Sequence, residues 1–214
     1  MRIKLDLHVH SHHSFDSKIT PEELARACAE RGLAGVAITD HDAFAGTREF
    51  REALPHLLII AGEEVRSRQG EIIGLFISRE IPPGMSALET MREIKRQGGL
   101  VCLPHPFDPI KLHRLRSSQI LKLRENIDCL EAVNGKPRWP SANREAEAFA
   151  RAHNFPVTAG SDAHRGEDVG RVFLEMEEFD SPEGFLANLR EATTNGERYS
   201  PWASQKERWK ARLR

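Results

Sequence analysis

Residues 6–17 read DLHVHSHHSFDS, which crowds His8, His10, His12 and His13 together with Asp6 and Asp16. Imidazole and carboxylate side by side form the donor set of a borderline or hard divalent ion. In an extended strand, residues two apart point to the same side, so His8 and His10 stand together and can grip one ion. Donor-type residues recur further along: Asp40-His41, Glu63-Glu64, His105, Asn134, and Asp162 with His164. One HxH pair carries little weight, and one Asp-His less. The joint pattern carries more, because structural ion pairs would bring Arg or Lys to these positions, which lack them. His12 and His13 read as exposed loop residues, and His56, His113 and His153 as helical or linker residues.

Something must place these donors together. Ile3, Leu5, Leu7 and Val9 alternate with polar residues, the period of a strand. Thr20-Pro21-Glu22-Glu23 supplies a helix cap, a proline at the first helical position and a capping-box glutamate, so a helix runs to about Gly32. The strand LAGVAITD follows, then a short helix from Ala43 to Ala53, then the strands HLLIIAGEEV and GEIIGLFIS. Ser86 and Glu89 open another helix, ended by Gly98-Gly99. LVCLPHP is a strand, 111–124 a helix-like segment, and IDCLEAVNG a strand. Ala142, Ala146, Phe149 and Ala150 mark a helix face. FPVTAGSDAH and RVFLEME are strands, and Ser181-Pro182 starts the last helix. Strands alternating with helices imply a parallel α/β architecture. The donors then fall at the carboxyl ends of nearly every strand, the face on which α/β folds build active sites.

Bulk properties narrow the function classes. The 214 residues, 39% hydrophobic and 29% charged, suit one sizeable core. A net charge of −1 and 7% aromatic residues give no strong nucleic-acid signal. No apolar run has the length of a membrane span, and the first residues carry no signal-peptide pattern. Cys28, Cys102 and Cys129 are widely spaced and form no disulfide framework, which fits a reduced, cytoplasmic protein. No linker divides the chain, so residues 1–200 read as one domain, followed by a basic tail over 201–214.

The motifs DLHVHSHHSFDS, ITDHD, AGEEV, PHP at 104–106 and GSDAH at 160–164 stand in an order that resembles the PHP (polymerase and histidinol phosphatase) family of metal-dependent phosphoesterases. The resemblance covers residues 3 to about 176. It implies a distorted, TIM-like (β/α)7 barrel with two or three divalent ions at its mouth: manganese, iron, zinc or magnesium. Carried over by position, His8, His10, Glu64 and Asp162 hold the first ion. Glu64 bridges to a second, also held by His105, and Asp16, His41 and His164 hold a third. Glu64 is taken over Glu63 because the family's glutamate stands two residues after its glycine, here Gly62. Glu71 replaces the histidine of many members, and it is either an oxygen ligand to the second ion or a surface residue opening a strand. Asp16 stands where some members have histidine.

The chemistry expected is hydrolysis of a small phosphate ester by a metal-bridging hydroxide, because coordination lowers the pKa of water from 15.7 toward about 7. Asp162 and His105 are the expected catalytic residues, with Asp162 receiving or relaying the water proton. Candidates for the phosphate oxygens are Arg138, Lys136, Asn134 and Arg165, with Arg66 a further cation. Arg138 is preferred because NGKPRWP follows a strand end and offers Trp139 as an apolar wall. Two competing readings stand beside this one: a nuclease or phosphodiesterase acting on nucleotides or short oligonucleotides, and a catalytically silent metal-binding or regulatory module.

Overall fold

The protein is seen here as a computed structural model, which describes residues 1–136 and 140–196. Arg138, Trp139 and the basic tail over 201–214 lie outside the described residues. The strands are β1 (Arg2–Val9), β2 (Gly35–Ile38), β3 (Leu58–Arg66), β4 (Glu71–Leu75), β5 (Leu100–Leu103), β6 (Cys129–Asn134), β7 (Val157–Gly160), β8 (Val172–Glu177) and β9 (Thr193–Gly196). The helices are α1 (Pro21–Arg31), α2 (Ala45–Ala53), α3 (Ala87–Arg96), α4 (Ser117–Lys122), α5 (Pro140–Ala152) and α6 (Pro182–Leu189). Both expected capping boxes form. Thr20 accepts from the amide of Glu23 while Glu23 accepts from that of Thr20, and Ser86 and Glu89 do the same at α3.

The nine strands form one sheet in the order β7-β6-β5-β4-β3-β2-β1-β8-β9. The pairs β1/β2, β2/β3, β5/β6 and β6/β7 are parallel, as expected. The count of seven βα units is not reproduced, because β4 runs antiparallel to both β3 and β5. The link 67–70 is too short for the crossover that a parallel pair needs, so β3 and β4 form a hairpin. β8 and β9 are also antiparallel to their neighbours, and β9 has no counterpart in the sequence reading. The helix expected over 111–124 shrinks to α4. Before it the chain turns instead at Asp108, whose carboxylate accepts from the amide of Ile110 at 2.9 Å.

The sheet curls into a nearly closed barrel. Its interior is filled by buried residues from successive strands, among them Leu5, Leu7, Ala37, Ile60, Ile73, Cys102, Cys129 and Ala159. All three cysteines are free and buried. The seam lies between β1 and β7. The first half of β1 pairs with β8, and only its far end reaches past β7, where the amide of His10 donates to the carbonyl of Ala163 at 3.0 Å. Asp6 supplies a side-chain strut across this seam. It accepts from the amide and hydroxyl of Ser161 at 2.8 and 2.5 Å and from the amide of Gly170 at 2.7 Å. Gly160 permits the close approach: a Cβ there would lie 2.4 Å from Cβ of His8. Among the described residues, no helix is long and apolar enough to cross a membrane.

Candidate metal centre

The carboxyl ends of the parallel strands point to one mouth, and the expected donors meet there. β1 delivers His8 and His10, and β3 delivers Glu64. The loops after β2, β5 and β7 deliver His41, His105, and Asp162 with His164. The reversal of β4 brings its first residue, Glu71, to the same mouth beside the end of β3, where it pairs in register with Arg66. Glu71 is buried, which removes its reading as a surface residue.

Three overlapping groups of donors form: His8-His10-Asp162, His8-Glu64-His105 and His10-His41-His164. Nε2 of His8 and Nε2 of His10 are 3.0 Å apart. Two imidazole nitrogens that close require a proton or a cation between them. Glu64 Oε1 lies 3.0 Å from Nε2 of His105. Its Oε2 lies 3.5 Å from Nε2 of both His8 and His10 and 3.1 Å from Nδ1 of His41. Asp162 Oδ1 is 3.4 Å from His10 Nε2, and Glu71 Oε2 is 3.8 Å from His105 Nε2. Asp16, partly exposed, reaches His164 Nε2 at 3.0 Å and His41 Nε2 at 3.7 Å.

These residues fit divalent ions. Glu64 Oε2, Asp162 Oδ1 and Glu71 Oε2 are buried, and none has a hydrogen-bond partner. Leaving such atoms unpaired costs on the order of 1–3 kcal/mol each, more for a charged group, unless a cation serves them. Charge tells the same story. Burial works against the anions of Glu64 and Asp162, yet His8 and its neighbouring cationic groups hold both carboxyls well below the usual range. Burial and the nearby Glu64 push Glu71 up. His8 is pulled down by burial, but Glu131, Asp162 and Glu64 outweigh this and raise it well above the usual histidine value. Burial lowers His10 well below that value.

Behind the donors stand partners that sequence reading missed. Glu131, near the middle of β6, accepts from Nδ1 of His8 at 2.9 Å through Oε1. Its Oε2 accepts from the amide of His105 at 2.8 Å and from Nδ2 of Asn134 at 2.9 Å. A carboxylate only accepts, so His8 keeps a proton on Nδ1, which leaves Nε2 as the nitrogen that faces inward and offers its lone pair when an ion takes the place of the proton there. Asp40 orients His10 through a relay. The Ser14 hydroxyl donates to Asp40 Oδ1 at 2.8 Å and stands 3.2 Å from Nδ1 of His10. Having spent its proton, that hydroxyl accepts from His10 Nδ1. The one signal for Glu131 was a lone acid inside an apolar strand, which demands a buried partner.

Lys111 is the second omission. Its ammonium lies 3.3 Å from Asp162 Oδ2, and Asp162, Glu64 and Glu71 outweigh burial to raise its pKa. Lys136 joins it: Nζ is 3.6 Å from Asp162 Oδ1 and 2.8 Å from Nδ1 of His164. Asn134 has its amide engaged by Glu131 and, at 3.4 Å, Asp162, so it braces the carboxylates. Arg165 pairs in solvent with Glu167 at 3.5 Å, and the Arg66 side chain is exposed. His105 and Asp162 have φ of 32° and 54°, a region that non-glycine residues occupy at a cost. Strained backbone at two donors marks a site whose geometry the surrounding packing enforces.

Fold and site together define an α/β barrel whose mouth gathers clusters of donors that could hold metal. Comparison with known proteins agrees. The sequence model of the PHP domain matches residues 6–110, and that of the PHP-associated region matches 140–194. An uncharacterised protein of Methanocaldococcus jannaschii is 32% identical over 198 residues, spanning 88% of this chain and 79% of that protein. The chain belongs to the PHP domain family. An error-prone DNA polymerase of Mycobacterium tuberculosis is 37% identical over 103 residues, which is 43% of this chain and 9% of the polymerase. Two solved structures share the fold. A two-domain protein from Bacteroides vulgatus, described as containing a predicted PHP-like metal-dependent phosphoesterase, superposes with a TM-score of 0.75 at 19% identity; the match covers 92% of this chain and 65% of that one. The lesion-specific endonuclease Q of Pyrococcus furiosus gives 0.67 at 19% identity, over 91% and 58%.

Proposed function

We propose that this PHP-family metal-dependent phosphoesterase is a phosphomonoesterase for a small molecule or nucleotide. The observation that carries the reading is Glu64 Oε2, buried, ringed by three imidazole nitrogens at 3.1–3.5 Å, and without a hydrogen bond. His8, His10, Glu64 and Asp162 would hold one ion, Glu64, His105 and Glu71 a second, and Asp16, His41 and His164 a third. Ions bound there supply Lewis-acid charge neutralisation and an acidified water at neutral pH.

The side chains do the rest. Lys111 and Lys136 flank Asp162 and offer ammonium groups to the non-bridging oxygens of a phosphate, whose monoester form carries the most charge to neutralise. Asp162, held anionic, would receive or relay the proton of the attacking water. Glu131 and the Asp40–Ser14 relay keep His8 and His10 in one tautomer through the cycle.

A phosphate-release assay in manganese buffer tests this. Nucleoside monophosphates, sugar phosphates and histidinol phosphate form one panel, and an aryl diester and a short oligonucleotide form the other. Release from at least one monoester class, reduced by Lys111→Met chiefly through KM, is expected. Cleavage of the diester or oligonucleotide with no release from any monoester would establish the second reading, a diesterase. The fold shared with endonuclease Q favours that reading, and the net charge of −1 weighs against a long nucleic-acid groove. Failure on both panels would leave the silent metal-binding module.

A further inference from the structure

We propose a separate transition-metal site on the outer wall of the mouth, formed by His12, His13 and Glu49. His12 and His13 sit in the turn after β1, and Glu49 lies on α2. Glu49 Oε2 is 3.3 Å from Nε2 of His12 and 2.6 Å from Nε2 of His13. Around a tetrahedral zinc with bonds near 2.1 Å, donor atoms stand about 3.4 Å apart. The first distance already fits, and the second is a hydrogen bond that an ion would replace.

The histidines are oriented as ligands. Nδ1 of His12 lies 3.2 Å from the carbonyl of Ile19, which only accepts. A proton kept on Nδ1 leaves Nε2, which faces the Glu49 carboxylate, as the nitrogen that an ion would take. The two imidazole centroids are 4.5 Å apart, and the His12 ring rests against Phe50 at 6.0 Å. The amide of His13 donates to the Ser11 hydroxyl at 3.2 Å, and that hydroxyl donates to Asp40 at 2.6 Å. The turn is thus anchored to the barrel before any ion arrives.

None of the three residues belongs to the buried groups, and all are reachable from solvent: their side chains are 36%, 29% and 43% exposed. Two imidazoles, one carboxylate and an open position form a zinc-type shell. The buried centre, with its larger share of carboxylates, is harder. A chain offered both ions therefore becomes heterometallic, with zinc outside.

The test loads full-length protein with excess Mn²⁺, dialyses it against micromolar free Zn²⁺, and counts both metals by mass spectrometry. Wild-type protein should retain one more zinc per chain than the His12→Ala/His13→Ala double variant, with equal manganese. Glu49→Gln, which keeps the shape of the side chain, should weaken zinc at least tenfold. Zinc exchanging into the buried centre affects all variants alike, so the difference isolates the outer site. Tetrahedral Co²⁺ absorption lost in the double variant is the second readout. Equal zinc content and equal cobalt spectra in wild type and variants would overturn the proposal.

Discussion

Replacing Glu131 by glutamine changes one atom and removes one charge, yet it should disable the proposed metal centre through His8 or His105. The carboxylate serves three donors: Nδ1 of His8 at Oε1, and the His105 amide and Asn134 Nδ2 at Oε2. A glutamine has two ways to sit. With its NH2 in the Oε2 position it meets two donors and loses two buried bonds to a charged acceptor, each worth roughly 1.5–3 kcal/mol. With its NH2 toward His8 it forces the histidine proton from Nδ1 to Nε2 and blocks the lone pair that faces Glu64 and Asp162. The first orientation frees the backbone that aims His105 and the second removes the lone pair of His8, so either way an ion loses a well-aimed ligand. Changes to such outer partners typically cost about 10–100-fold in metal affinity, roughly 1.4–2.7 kcal/mol. The assay is a Mn²⁺ titration followed by electron paramagnetic resonance, beside kcat/KM and a thermal melt to confirm folding. A folded Glu131→Gln protein whose Mn²⁺ affinity and kcat/KM stay within threefold of wild type would refute the tautomer argument.

Glu71→Ala should lose an ion and most activity, while Glu71→His should keep the ion and shift preference toward zinc; wild-type metal content and rate in the alanine variant would take Glu71 out of the site. Phe15 is 79% exposed at the mouth, with one face stacked on His41 at 5.3 Å and 27°, so its other face offers a platform for a flat leaving group. Phe15→Ala should raise KM roughly tenfold for nucleotides or aryl phosphates and leave glycerol phosphate unchanged, since stacking on a base is worth about 1–3 kcal/mol; equal effects on both substrates would count against a platform. Burial pushes the Cys28 thiol up to about 12. That stabilising preference for the thiol is complete below its ordinary value near 9 and is lost as pH rises toward 12, so stability should fall over that window. Disulfide reagents at pH 8 should label Cys28 no faster than the chain unfolds, and rapid native labelling would contradict its burial.

What could be read from the sequence was whatever is encoded locally. The alternation of Ile3 to Val9 and the two capping boxes depend on neighbours a few residues away, and they appear where expected. His8, His10, Glu64, His105 and Asp162 were legible because each ends a strand whose periodicity is plain. The direction of β4 was less legible, because both of its partners are set by pairing across the sheet; only the shortness of 67–70 hinted at a hairpin. Glu131 and Lys111 stayed hidden for a similar reason. Their roles exist only after folding brings β6 and the loop after β5 to His8 and Asp162, contacts separated by 123 and 51 positions. His12 and His13 were read as loop residues, and they are; Glu49, from another helix, is what makes them a pair of donors.

The seam between β1 and β7 links the catalytic site to the cohesion of the whole barrel. Ladder bonding there is sparse, and the Asp6 strut and the His10–Ala163 bond span a gap that other strand pairs fill with a continuous ladder. His8 and His10 stand on one bank, and Asp162 and His164 on the other. Any cation they share binds the closed barrel and has no equivalent partner once the banks part. Occupancy therefore works as a clasp: by mass action it stabilises the closed state by RT ln(1 + [ion]/Kd), about 2.7 kcal/mol at a hundredfold excess over Kd. The same linkage runs in reverse, so a substitution that loosens the far end of the Asp6 strut, at Gly170, weakens the hold on the ion without touching a ligand.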